Sequence, residues 1–131
     1  MTDRKPLILV IEDDASIRGL LEVMMEMQNW DVIGARDGLE GLVKLEFRRP
    51  SVVILDIMMP NIDGARVLSE MRSDIRLRNV PVLVVTGRGD AHDTFDPVVG
   101  KENVFPKPFD PERLAHRVAE LINNEPPKGW G

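Results

Sequence analysis

A chain of 131 residues is long enough to bury one hydrophobic core, so a single domain is expected. The absence of cysteine excludes a disulfide framework and thiolate metal sites, and suits a reducing cytosol. A net charge of -5 argues against direct nucleic-acid binding, because nonspecific affinity for a phosphate backbone comes from clustered Lys and Arg.

The apolar runs are too short to span a bilayer, and Met1-Thr2-Asp3-Arg4-Lys5-Pro6 lacks the apolar stretch of a signal peptide. A cytoplasmic protein without a membrane partner is expected. Along the chain, strand and helix patterns alternate, which predicts a parallel α/β sheet with helices on both faces. Leu7-Ile8-Leu9-Val10-Ile11 reads as a buried strand that stops in Glu12-Asp13-Asp14. Asp14 suits a helix cap, and Ile17, Leu20, Leu21 and Met24 keep helical spacing to about Gln28. Asp31 to Ala35 reads as a second strand. Asp37-Gly38 opens a helix through Leu39, Leu42 and Val43 that ends near Arg49, ahead of Pro50.

Val52-Val53-Ile54-Leu55 reads as a third strand, and it ends in Asp56. A buried strand rarely ends in a carboxylate without a reason. A helix follows Asp63-Gly64, with Val67, Leu68 and Met71 on one face; Pro81 then precedes a fourth strand, Val82-Leu83-Val84-Val85, which ends in Thr86. Between Thr86 and Lys107 the pattern weakens. Pro97 with Gly87, Gly89 and Gly100 predicts a short or broken helix, since an interior proline costs about 3 kcal/mol. The last helix is the best marked. Asp110 caps it, Pro111 takes its first position, Glu112 its first turn, and Leu114, Val118, Leu121 and Ile122 face inward. Residues 124–131, with Pro126-Pro127 and two glycines, read as a flexible tail.

Acids, a hydroxyl and an ammonium group at the carboxyl ends of parallel strands make a site. Glu12-Asp13, Asp56, Pro60-x-x-Asp63-Gly64, Thr86 and Lys107-Pro108-Phe109, in this order and spacing, resemble the receiver domain of two-component response regulators. The likeness covers about residues 6 to 122. It implies a flavodoxin-like, doubly wound, five-stranded sheet in the order 2-1-3-4-5, with the receiver at 6–123 between an extension at 1–5 and the tail. It also implies Asp56 as the phosphoacceptor and Mg2+ held by Asp13 and Asp56, by Glu12 through water, and by the backbone carbonyl of Met58. Lys107, aimed inward by a cis Lys107-Pro108 bond, is implied to face the phosphoryl oxygens, and Thr86 to donate its hydroxyl to one of them. The implied donor is a histidine kinase or histidine phosphotransfer protein, docking on Ile17, Leu20, Pro108 and Phe109; the downstream protein target is not named by the sequence.

Two positions depart from that pattern. Three residues before the lysine stands Val104, where receivers usually have an aromatic ring that swings with the threonine hydroxyl; Phe105, one place on, points to the opposite side of its strand. Met58 and Arg88, two places after Asp56 and Thr86, occupy positions that influence acyl-phosphate lifetime in the family. Signalling by ordering of the segment after Gly87, in place of an aromatic swing, is the corresponding expectation. Other readings are a receiver-like interaction module that is never phosphorylated, and a receiver cut from a longer regulator or hybrid kinase. A dehalogenase-like phosphatase would need a second aspartate where Met58 stands. His92 and His116, without acidic partners at ligand-like spacing, read as solvated surface. Gly87-Arg88-Gly89 lacks the length and the Lys-Ser/Thr of a phosphate loop.

Overall fold

The computed structural model of the chain describes residues 5–123; the expected tail and most of the N-terminal extension lie outside them. Five parallel strands, β1 (Leu7–Ile11), β2 (Asp31–Ala35), β3 (Val52–Asp56), β4 (Val82–Thr86) and β5 (Val104–Pro106), pair in the order β2-β1-β3-β4-β5. They alternate with α1 (Ala15–Met27), α2 (Gly38–Phe47), α3 (Gly64–Ser73), α4 (Ala91–Val99) and α5 (Pro111–Asn123), and a 3-10 turn at Lys101–Asn103 precedes β5.

Successive strand residues point to opposite faces, so the three central runs feed two cores. Ile8, Val10, Ile54, Leu83 and Val85 pack with Leu21 and Met25 of α1 and Leu114 and Val118 of α5. Leu9, Ile11, Val53, Leu55 and Val84 pack with Leu45 of α2, Val67 and Met71 of α3, and Phe95 of α4. Aspartates start four of the helices. Asp14 accepts the amides of Ser16 and Ile17, Asp37 that of Glu40, Asp63 that of Arg66, and Asp110 that of Glu112.

Three local details go beyond the sequence pattern. On α1 the buried pair is Leu21 and Met25; Leu20 is 48% exposed. On α2 the apolar Leu39 and Val43 face outward, and Gly38, Gly41 and Leu45 face the sheet. A Cβ at Gly41 would come within 2.5 Å of Ile11 Cδ1, so the helix presents its smallest side because it packs that closely. Finally, α4 is short, as expected, at nine residues, and it is unbroken, with Pro97 inside it. The proline removes only the bond to the carbonyl of Asp93, an exposed residue, while Gly100 N still donates to Asp96 O at 2.9 Å. A formed helix removes the premise that this segment is too irregular to hold one.

Candidate functional site

The order of connections reverses between β1 and β3, and at such a switch point the strand ends leave a crevice at the carboxyl edge of the sheet. Glu12 leaves β1, Asp56 closes β3, Thr86 closes β4, and Lys107 follows β5, held by its amide to Thr86 O at 2.8 Å. Glu12 and Asp56 are 2% and 1% exposed, Thr86 is fully buried, and Asp13 stands exposed at the mouth. Parallel register accounts for this convergence: Asp56 pairs across to Val85, and Thr86 to Pro106.

Lys107 Nζ lies 3.3 Å from Glu12 Oε1 and 3.6 Å from Asp56 Oδ2. The Lys107–Pro108 bond is cis. Asp56 Oδ1 accepts the Met58 amide at 3.1 Å, whereas Asp56 Oδ2 is buried with no hydrogen-bond partner among the described residues. A buried carboxylate oxygen left in that state is costly unless something binds it. Burial first, and then the Glu12 carboxylate beside it, push the Asp56 carboxyl from 3.8 up to about 7, against the lowering pull of Lys107 and the Met58 amide. Burial also disfavours the charged form of Lys107, but Asp56 and Glu12 outweigh it and hold the ammonium above its usual value.

Carboxylate oxygens of Glu12, Asp13 and Asp56 all lie within 4.8 Å of one another. An all-oxygen acidic set with one unsatisfied buried atom fits a hard divalent cation such as Mg2+, and it is the wrong donor set for a soft metal.

Sequence reasoning missed the contacts that hold these acids in place. Arg18, one turn into α1, donates from Nη1 to Glu12 O at 2.8 Å, and the Asp14 amide donates to Glu12 Oε2 at 3.1 Å. Helical side chains lean toward the N-terminus, so the placement of Arg18 over the preceding loop was readable in principle. The histidine reading also needs correction. Both are exposed, but His92 Nδ1 is 2.8 Å from Asp96 Oδ1 and His116 Nε2 is 3.8 Å from Glu120 Oε2, each pair one helical turn apart.

Beside the acids, Ile17, Leu20, Lys107, Pro108, Phe109 and Pro111 line an open groove of about 430 Å3 whose surface is almost wholly apolar. Ile17 and Phe109 are half-buried against the α1/α5 core, and Leu20 stands out from it. Val104 is buried among Val84 and Phe95 on the α4 side of the sheet, while Phe105 packs on the α5 side.

Fold and site together define a doubly wound α/β domain with an acidic, lysine-faced pocket at its strand ends. Residues 8–119 match the family described as the response regulator receiver domain, and the chain belongs to that family. Among curated relatives, the probable transcriptional regulator ycf27 of Cyanophora paradoxa is 35% identical over 123 residues, covering 93% of this chain and 50% of that protein. The DNA-binding dual master transcriptional regulator RpaA of Synechocystis is 37% identical over 120 residues, covering 89% of this chain and 49% of that one. The chain thus spans about half the length of these relatives. Among solved structures, the receiver domain of Francisella response regulator 1452 superposes with a TM-score of 0.80 at 28% identity, covering 91% of this chain and 98% of that one. The chemotaxis response regulator CheY4 of Vibrio cholerae superposes with a TM-score of 0.79 at 26% identity, covering 89% and 98%. No helix among the described residues is long and apolar enough to cross a membrane.

Proposed function

We propose that the protein is a phospho-accepting receiver of a two-component or phosphorelay system, modified on Asp56 and switching the binding of a downstream protein. The observation that carries this is the buried Asp56 Oδ2, without a hydrogen-bond partner and faced by Lys107 at 3.6 Å. An Asp56 oxygen attacks phosphorus, the donor's P–N bond breaks, and the imidazole leaves with the electron pair and takes up a proton; the product is an acyl phosphate. When the donor is acetyl phosphate, a P–O bond breaks and acetate leaves.

Glu12, Asp13, Asp56 and the incoming phosphoryl group are all anionic, so the step needs added positive charge. Asp13 and Asp56 would hold Mg2+ directly, Glu12 through water and Met58 through its backbone carbonyl, and the ion would supply charge neutralisation. Lys107 is a point charge for the phosphoryl oxygens, and the Thr86 hydroxyl is a donor to one of them.

The protein is a stoichiometric acceptor rather than a turnover enzyme. Its donor is a cytoplasmic histidine kinase or histidine phosphotransfer protein, docking on Ile17, Leu20, Pro108 and Phe109. This domain, with its acidic balance, makes no direct contact with nucleic acid. Intact-mass measurement with acetyl phosphate tests the reading: one added phosphoryl group with Mg2+, none after chelation, and none in Asp56→Asn. Labelling that persists in Asp56→Asn would overturn the assignment.

A further inference from the structure

The Thr86 hydroxyl is the start of a contact series that ends inside α4. Its Oγ1 accepts the backbone N–H of Arg88 at 3.1 Å. The Arg88 guanidinium grips Asp90 at two points, Nε to Oδ1 at 3.0 Å and Nη2 to Oδ2 at 2.8 Å, and its Cζ lies 5.8 Å from the centroid of the Phe95 ring. Asp90 is the residue before α4, and it accepts from Thr94 twice: its backbone oxygen from the Thr94 amide at 3.0 Å and its Oδ2 from the Thr94 hydroxyl at 3.1 Å. Phe95 is 3% exposed and packed in the same core as Val84 and Val104.

An exposed ion pair alone contributes little. Here the two-point grip and the cation–π approach to a buried ring restrain Arg88 more than a lysine's single point charge would. The flanking residues add no such restraint, since a Cβ on Gly87 or Gly89 would meet nothing within 4 Å. The residue whose amide donates to Thr86 is thus the same one whose side chain is anchored on Asp90 and beside Phe95. With a lone pair of Oγ1 taken by that amide, the hydroxyl proton is left for another acceptor.

We propose that Arg88 is a positioning residue that holds the Thr86 hydroxyl for the phosphoryl group and ties its position to the N-terminus of α4. The first half rests on the phosphoacceptor reading above. The tie between Thr86 and α4 does not, so it can be tested without any phosphate.

Hydrogen exchange on residues 91–99 of the chelated protein provides that test. Thr86→Val, which replaces the hydroxyl by a methyl group and so leaves the Arg88 amide without its acceptor, should speed exchange there about fivefold beside Arg88 and less than about twofold in the Arg88→Ala background, because coupled positions are non-additive. Arg88→Lys should behave like Arg88→Ala. An equal effect of Thr86→Val in all three backgrounds would overturn the coupling, as would full retention by Arg88→Lys, which would make the charge alone sufficient. In a second arm, beryllofluoride with Mg2+ is added and its binding followed by fluorine NMR. The change in α4 exchange that it produces should fall at least threefold in Arg88→Ala, and an undiminished change counts against the proposal. Absence of beryllofluoride binding to the parent protein overturns the phosphoacceptor reading instead, and the tie to α4 is then decided by the first arm.

Discussion

The Lys107 ammonium and the Asp56 carboxylate face each other at 3.6 Å, and the same nitrogen stands 3.3 Å from Glu12. A single ammonium group therefore serves two buried carboxylates. The site is short of positive charge by construction, and under the proposed function its response to protons, metal and phosphate should follow from that deficit.

Stability should depend on pH through Asp56. Its folded value is raised from 3.8 to about 7, so between those values the folded state keeps a proton that the unfolded chain has lost. Stability in chelator should consequently fall as pH rises through that window, and level off above it. Asp56→Asn removes the buried charge and should gain on the order of 2 kcal/mol at pH 8, with little change at pH 4. Urea denaturation at the two pH values measures both, and an Asp56→Asn gain that is the same at pH 4 and pH 8 would contradict the burial argument.

Lys107→Ala should separate metal from phosphate. Removing a cation beside the acids does not weaken their hold on another cation, so Mg2+ affinity should stay within about threefold or tighten. The response to beryllofluoride should be mostly lost, because the phosphoryl oxygens lose their point charge. Mg2+ titrations of Lys107→Ala and Asp13→Ala decide the matter: equal losses of affinity would mean that the roles are misassigned.

Gly64 is placed against the backbone at the end of β3. A Cβ there would fall 2.4 Å from Asp56 O and 2.6 Å from Ile57 Cα, and backbone cannot move aside cheaply. Gly64→Ala should cost about 2 kcal/mol and slow acetyl phosphate labelling by displacing Asp56. Thermal melts alongside intact-mass time courses check it, with an unaltered midpoint as the contrary result.

The groove lined by Ile17, Leu20, Pro108 and Phe109 sits beside the acids and is open to solvent. Ile17→Glu should slow phosphotransfer from a protein donor about tenfold while leaving acetyl phosphate labelling within about twofold. Equal slowing of both would mean that Ile17 acts only through its packing on the α1/α5 core.

What the sequence determined by itself was whatever depends on neighbours along the chain. The β-branched runs, the aspartates that cap α1, α2, α3 and α5, and the strand-end positions of Asp56 and Thr86 were all readable, because strand formation and capping are satisfied within a few residues. The i,i+4 pairing of His92 with Asp96 was equally local, and it was overlooked rather than hidden. Tertiary structure alone decided which side of α2 faces the sheet, since that depends on how close Gly41 comes to Ile11. It also decided that α4 stays whole around Pro97, where packing of Phe95 outweighs an unfavourable local residue. The charge balance of the site belongs to the same class. Desolvation and the convergence of Glu12, Asp56 and Lys107 exist only once three distant strand ends are brought to one edge of the sheet, and no spacing along the chain encodes a distance between them.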